Sequence, residues 1–178
     1  NLDSAAFIKF AAEDTLPGYY DGGGEHAIPY AVDGQLLYAL IRALKPARVL
    51  EIGTARGGSA RHILEALHKN RRGRLITVDI NPTATLAGIP DHLRERVTLV
   101  HENAELWLNA QMAAGGFVPF DFIHEDGAHS AHLVHAIYNT LPVTLAPNGV
   151  IVSHDVGTGV KDDILQGITS AGFPIPPC

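Results

Sequence analysis

Residues 49–60 read VLEIGTARGGSA and residues 74–81 read RLITVDIN, and the order of features within these two runs decides the architecture. Val49, Leu50 and Ile52 make a short apolar run of the kind that fills a buried parallel strand. Gly53 and Gly57 follow, and then Ala60, Ile63, Leu64 and Leu67 recur at helical spacing, which predicts a strand, a tight turn and a helix N-terminus. The second run is again strand-like and ends in Asp79. A carboxylate at the carboxyl end of the second strand is placed to accept both hydroxyls of an adenosine ribose. The expectation is an α/β protein with a doubly wound, mostly parallel sheet and a nucleoside-bearing ligand.

The glycine spacing narrows that ligand. A turn that seats a pyrophosphate carries GxGxxG, whereas the pattern here is ExGxxxGxS with Ala55 in place of the middle glycine. Such a turn suits S-adenosylmethionine (SAM), which has an adenosine, a sulfonium and an amino-acid tail but no pyrophosphate. On VLEIGTARGGSA and RLITVDINP the chain resembles the class I SAM-dependent methyltransferases, and within them the metal-dependent small-molecule O-methyltransferases of catechol and sugar type, over roughly residues 30–157. The resemblance implies a Rossmann-like methyltransferase fold. It also implies cofactor contacts from Glu51, Gly53, Thr54, Ala55, Gly57 and Ser59 in the turn, from Asp79 and Ile80 after the second strand, and from Asn103, Ala104 and Asp126 after the third and fourth.

Four acidic residues, Asp79, Glu102, Asp126 and Asp155, each end an expected strand. Helix capping would explain any one of them. As a group they point to a bound sulfonium, a metal, or both, because unpaired carboxylates are costly to desolvate. In the relatives the segments matching FDFIHEDGAHS and IVSHDV carry carboxylates that hold a divalent cation, Mg²⁺ or Mn²⁺ most simply, against the substrate oxygen. Here that implies Asp126, His154 and Asp155 as metal ligands. His154 is a departure, since an acid is usual there, and an imidazole ligand would soften the site toward Mn²⁺, Fe²⁺ or Zn²⁺. Ala128 is a second departure, standing where the sugar-modifying relatives have a catalytic Asp. His129, at the position of the lysine of the catechol-type relatives, is the candidate base, with a metal ligand and a residue without chemistry at the start of the next helix as the alternatives.

The remaining features set limits. A chain of 178 residues, 46% of them hydrophobic, suits one main domain, taken here as residues 33–178 after an irregular segment 1–32 that is a candidate lid. Asp33 is expected to cap a helix built on Leu36, Leu37, Leu40, Ile41 and Leu44, and the helix after the fourth strand to stop before Pro142. The net charge of −6 offers no field for nucleic acid. One cysteine, Cys178, excludes an internal disulfide framework, and neither a membrane-spanning run nor a signal-peptide layout is evident, so a cytoplasmic protein is expected. The chain stops at PIPPC, before the last strands usual in methyltransferases, and an uncovered sheet edge would favour a homo-oligomer. His62, His68, His92 and His101 are read as surface or core residues; His26, in the tyrosine-bearing loop, could face the substrate but is not counted among the site residues. Segments for amino methylation of bases, nucleophile elbows and phosphate loops are absent. The activity implied is methyl transfer to a small-molecule hydroxyl; the alternatives are a non-methylating, hydroxylase-like metalloenzyme of the same fold and a SAM-binding module without catalysis.

Overall fold

The computed structural model describes residues 3–13, 27–127, 130–154 and 161–170. Its centre is a five-stranded, fully parallel sheet in the order β3-β2-β1-β4-β5. The strands are β1 (Arg48–Ile52), β2 (Arg74–Asp79), β3 (Val97–His101), β4 (Phe120–Glu125) and β5 (Leu145–Ser153). The chain winds outward from β1 to β3, then returns to lay β4 on the other side of β1. Between β1 and β4 the direction reverses, and an open parallel sheet binds its ligand at that crevice.

Successive residues of β1 face opposite sides, and each side has its own core. Val49 packs with Ile63, Leu64 and Leu67 of α3 (Gly58–Lys69) and with Tyr38 and Ile41 of α2 (Ala27–Leu44). Leu50 and Ile52 pack with Leu108 of α5 (Ala104–Ala113) and with Val134, Ile137 and Leu141 of α6 (Ala131–Thr144). Covering on both faces is what a parallel sheet requires, and it explains why these strands read as apolar runs rather than alternating ones. The expected helical stripe of α3 is fully buried, each large residue contributing about 1.5–3 kcal/mol.

Three expectations are corrected. The segment 1–32 is not irregular throughout: α1 (Ser4–Glu13) and the first turns of α2 lie in it, and the YYDGGGEH stretch with His26 falls outside the described residues. Asp33 does not cap α2, which already begins at Ala27; Pro29 is tolerated because first-turn N–H groups have no intrahelical acceptor. The helix α6 runs through Pro142 to Thr144 and passes directly into β5, which starts at Leu145. A register irregularity between Phe120 and Phe122, with Asn148 at φ 64°, absorbs the extra residues of β5. The short α4 (Asp91–Arg94) starts directly after Pro90, and α7 (Lys161–Ser170) follows β5. Among the described residues there is no strand beyond β5, and no helix is long and apolar enough to cross a membrane.

Candidate functional site

At the carboxyl ends of β1, β2 and β4 lies a cavity of about 590 Å³, within the usual range for a small-molecule site. Its wall is made by the turn after β1, the tips of β2 and β4, the start of α5 and one side of α2. Gly53, at φ 96°, lets the β1 and β4 ends meet: a Cβ there would overlap the Asp126 carbonyl oxygen. Thr54, Ala55, Ser59, Asp79, Ile80, Asn103, Ala104 and Asp126 all line the cavity as their positions in the sequence suggest, and Glu51 and Gly57 do not.

Asp79 is more than a ribose acceptor in waiting. Its Oδ2 accepts the N–H groups of Thr54 at 2.9 Å and Ala55 at 2.8 Å, and its Oδ1 accepts that of Asn81 at 2.8 Å. Three of the roughly four acceptor positions of a carboxylate are thus committed to holding the turn in shape. The bond also steadies Ala55 at φ 45°, a left-handed conformation that costs an alanine about 1–2 kcal/mol. Ile80, 67% exposed, and the tip of α5 flank it. Asn103 accepts from Leu106 N at 3.1 Å, so it caps α5 while lining the cavity.

Glu51 lies underneath, with no exposed surface. Strand register puts it between Thr77 of β2 and His124 of β4, all three on the α3 side of the sheet. Thr77 Oγ1 donates to Glu51 Oε2 at 2.6 Å and Ser59 Oγ donates to Glu51 Oε1 at 2.6 Å. Thr77 has then spent its only proton, so in its 2.6 Å contact with Thr54 Oγ1 the donor is Thr54. His124 Nδ1 stands 3.5 Å from Glu51 Oε1. His124 had no place among the candidate residues; a histidine breaking the apolar run of β4 was its one sign in the sequence.

On the opposite wall His154 lies between two carboxylates. Its Nε2 is 3.0 Å from Asp33 Oδ2 and its Nδ1 is 3.2 Å from Asp126 Oδ1. The sequence put Asp126 and His154 together; it gave no hint of Asp33, which arrives from α2. Among the described residues no group of three His, Cys, Asp or Glu is arranged to hold a metal. Asp155, the third expected ligand, and Ala128 and His129 lie outside the described residues. His62, read from sequence as a surface or core residue, is buried yet lines the cavity, its ring against Gly34, where a Cβ would collide with it. Burial, and after it the charge of Arg61, push its pKa below the ordinary histidine value.

A model of the methyltransferase domain family matches residues 50–156, from the core of β1 to just past the tip of β5. The chain belongs to this family. Solved structures agree in fold. The O-methyltransferase from Bacillus cereus in complex with SAH is 21% identical with a TM-score of 0.59, over 95% of this chain and 76% of that one. TomG from Streptomyces achromogenes, an O-methyltransferase involved in tomaymycin synthesis and solved with SAM, is 23% identical with a TM-score of 0.60, over 94% and 72%. PaMTH1 of Podospora anserina, a methyltransferase bound to SAH, is 19% identical with a TM-score of 0.58, over 97% and 86%. No curated protein matches the chain. The cavity sits at the reversal point of the sheet, where open parallel sheets bind their ligands.

Proposed function

We propose that the protein transfers a methyl group from SAM to a hydroxyl of a small molecule. The observation that carries the reading is the family-matched turn, with Asp79 anchoring it beside a cavity large enough for a nucleoside and an acceptor. The adenosine end fits Asp79, Ile80, Asn103 and Ala104, and the sulfonium and tail fit the region of Ser59 and Asp126. The neighbours described as O-methyltransferases support oxygen as the acceptor atom.

In the reaction the methyl carbon leaves the sulfonium sulfur, which keeps the bonding electrons, and bonds to the acceptor oxygen. The hydroxyl proton goes to a base, a part assigned by sequence position to His129. S-adenosylhomocysteine (SAH) and a methyl ether are the products. The protein's main contribution is to fix donor and acceptor at attack distance and to exclude water. The donor chemistry of the wall also fits a divalent cation: Asp126 Oδ1 and His154 Nδ1, 3.2 Å apart, have the spacing of neighbouring ligands on one ion, and Asp33 stands on the far nitrogen as an orienting carboxylate does. Such an ion, when bound, would lower the pKa of the acceptor hydroxyl.

The test is methyl transfer from labelled SAM to a panel of catechols, sugars and conjugated phenols, with and without EDTA. Label appearing in an ether product supports the reading. Label on nitrogen alone, or none on any acceptor while SAM binds, overturns it, and full activity in EDTA removes the cation.

A further inference from the structure

A glycine inside a helix weakens it, and Gly34 is buried within α2. What requires it is the ring that stands against it. A Cβ on Gly34 would overlap Cδ2 of His62 and lie 2.5 Å from its Nε2 and 2.9 Å from its Cε1, where heavy atoms ordinarily keep about 3.5–4 Å apart. Gly34, Tyr38 and Ile41 stand at i, i+4 and i+7 on α2, and Tyr38 and Ile41 pack with Ile63, Leu64 and Leu67 of α3. Gly34 and His62 line the cavity while Tyr38 and Ile41 do not, so their contact is the cavity end of the seam between α2 and α3. His62 is 5% exposed, and its Nδ1 has no hydrogen-bond partner among the described residues, so packing rather than a polar bond holds that side of the ring.

The residue before Gly34 is Asp33, whose Oδ2 meets His154 Nε2 at 3.0 Å, while His154 Nδ1 stands 3.2 Å from Asp126 Oδ1. Hydrogen bonding fails beyond about 3.5 Å, so an outward shift of α2 by roughly 1 Å is enough to part Asp33 from His154. We propose that Gly34 and His62 are a size-matched pair that sets how closely α2 approaches α3, and thereby seats Asp33 on His154. His62 is then a positioning residue that acts on the cation site through Asp33, and this part of the inference rests on the cation reading above. A ring opposite a glycine lets the helices close until Asp33 reaches His154. A methyl group at position 34 forces α2 away instead, because a ring that is 5% exposed has little room to turn aside.

The experiment compares the full chain with Gly34→Ala, His62→Ala and the double variant. Alanine is the better helix former, so a loss in Gly34→Ala comes from the contact and not from the helix itself. In metal-free protein the His154 Nε2–H proton, identified in NMR spectra by its absence from His154→Gln, should lose its protection from exchange in Gly34→Ala and regain it in the double variant. Mn²⁺ affinity, read by electron paramagnetic resonance, should fall by roughly 10-fold to 100-fold in Gly34→Ala and return to within about threefold of wild type in the double variant. His62→Ala alone leaves space rather than a clash and should lose less than Gly34→Ala. His62→Trp crowds the same contact from α3 and should give both losses, which keeps the test intact if Gly34→Ala fails to fold. An unchanged proton signal in both crowded variants, or a loss that the double variant does not restore, overturns the inference. A wild type that binds no Mn²⁺ overturns the cation reading and the cation part of this inference, and the proton signal then decides whether Gly34 and His62 seat Asp33.

Discussion

His154 Nε2 lies 3.0 Å from Asp33 Oδ2, a contact across 121 positions that ties α2 to the tip of β5 at the cavity wall. Residue 33 precedes the family-matched stretch 50–156, so part of this wall comes from α2, outside that stretch. In the tautomer that carries the proton on Nε2, toward Asp33, the lone pair of Nδ1 is directed to the side of Asp126. Replacing Asp33 by Ala should therefore weaken Mn²⁺ binding by about 10-fold to 100-fold, and Asp33→Asn, which keeps an acceptor, should weaken it less. Electron paramagnetic resonance titration of free Mn²⁺ reads this directly, and equal affinities in all three proteins would detach Asp33 from the cation.

Cofactor binding should appear as stabilisation. A ligand that prefers the native state raises the melting temperature by mass action, so SAH should do so and NADH should not. Asp79→Ala removes the acceptor for three backbone N–H groups as well as any ribose contact. It should cost about 1–3 kcal/mol of stability even without ligand, beyond its effect on affinity. Thermal scans of both proteins, with and without SAH, separate the two losses. Stabilisation by NADH alone would reverse the cofactor assignment.

His62 predicts how stability depends on pH. Its folded pKa is depressed by burial and by Arg61, so below the unfolded value near 6.5 the unfolded chain binds more protons than the folded one. Its contribution is whole above that pH and is lost as the pH falls toward the folded pKa. Urea midpoints measured from pH 7.5 to 5 should decline more steeply for the wild type than for His62→Gln. Parallel curves would mean that His62 meets the same environment folded and unfolded.

Much of this was legible in the chain because the signals were local. The apolar runs of β1, β2 and β4, the stripe of α3 and the terminal Asp79 are each set by a few neighbouring residues, and each stands where its pattern puts it. Pro142 misled, since it reads as a stop while the packing of Leu141 and the continuation into β5 carry the helix through it. Asp33 was misread, and the place of the buried His62 at the cavity wall missed, for another reason. Each belongs to the cavity only because α2 packs on α3 through Gly34, and nothing within either helix states that neighbour. The row Thr77–Glu51–His124 depends on strand register, which becomes readable only once the order β2-β1-β4 is known.

The base remains the sharpest test of the chemistry, because Ala128 removes the acid that the sugar-modifying relatives use and His129 is its nearest replacement in sequence. If His129 takes the proton, kcat/KM should fall below a pKa between about 6 and 7.5, the range of a modestly shifted imidazole. His129→Ala should then lower the rate by about 10²-fold to 10⁴-fold, abolish that limb and leave SAH affinity unchanged. His154 also lines the cavity, and a limb that survives in His129→Ala would take the part of base away from His129. Loss of His154 should act through the cation. A loss under about tenfold with the limb retained would instead favour activation of the hydroxyl by the cation alone. Profiles at saturating SAM and Mn²⁺ decide among these outcomes, and an unchanged rate takes His129 out of the mechanism.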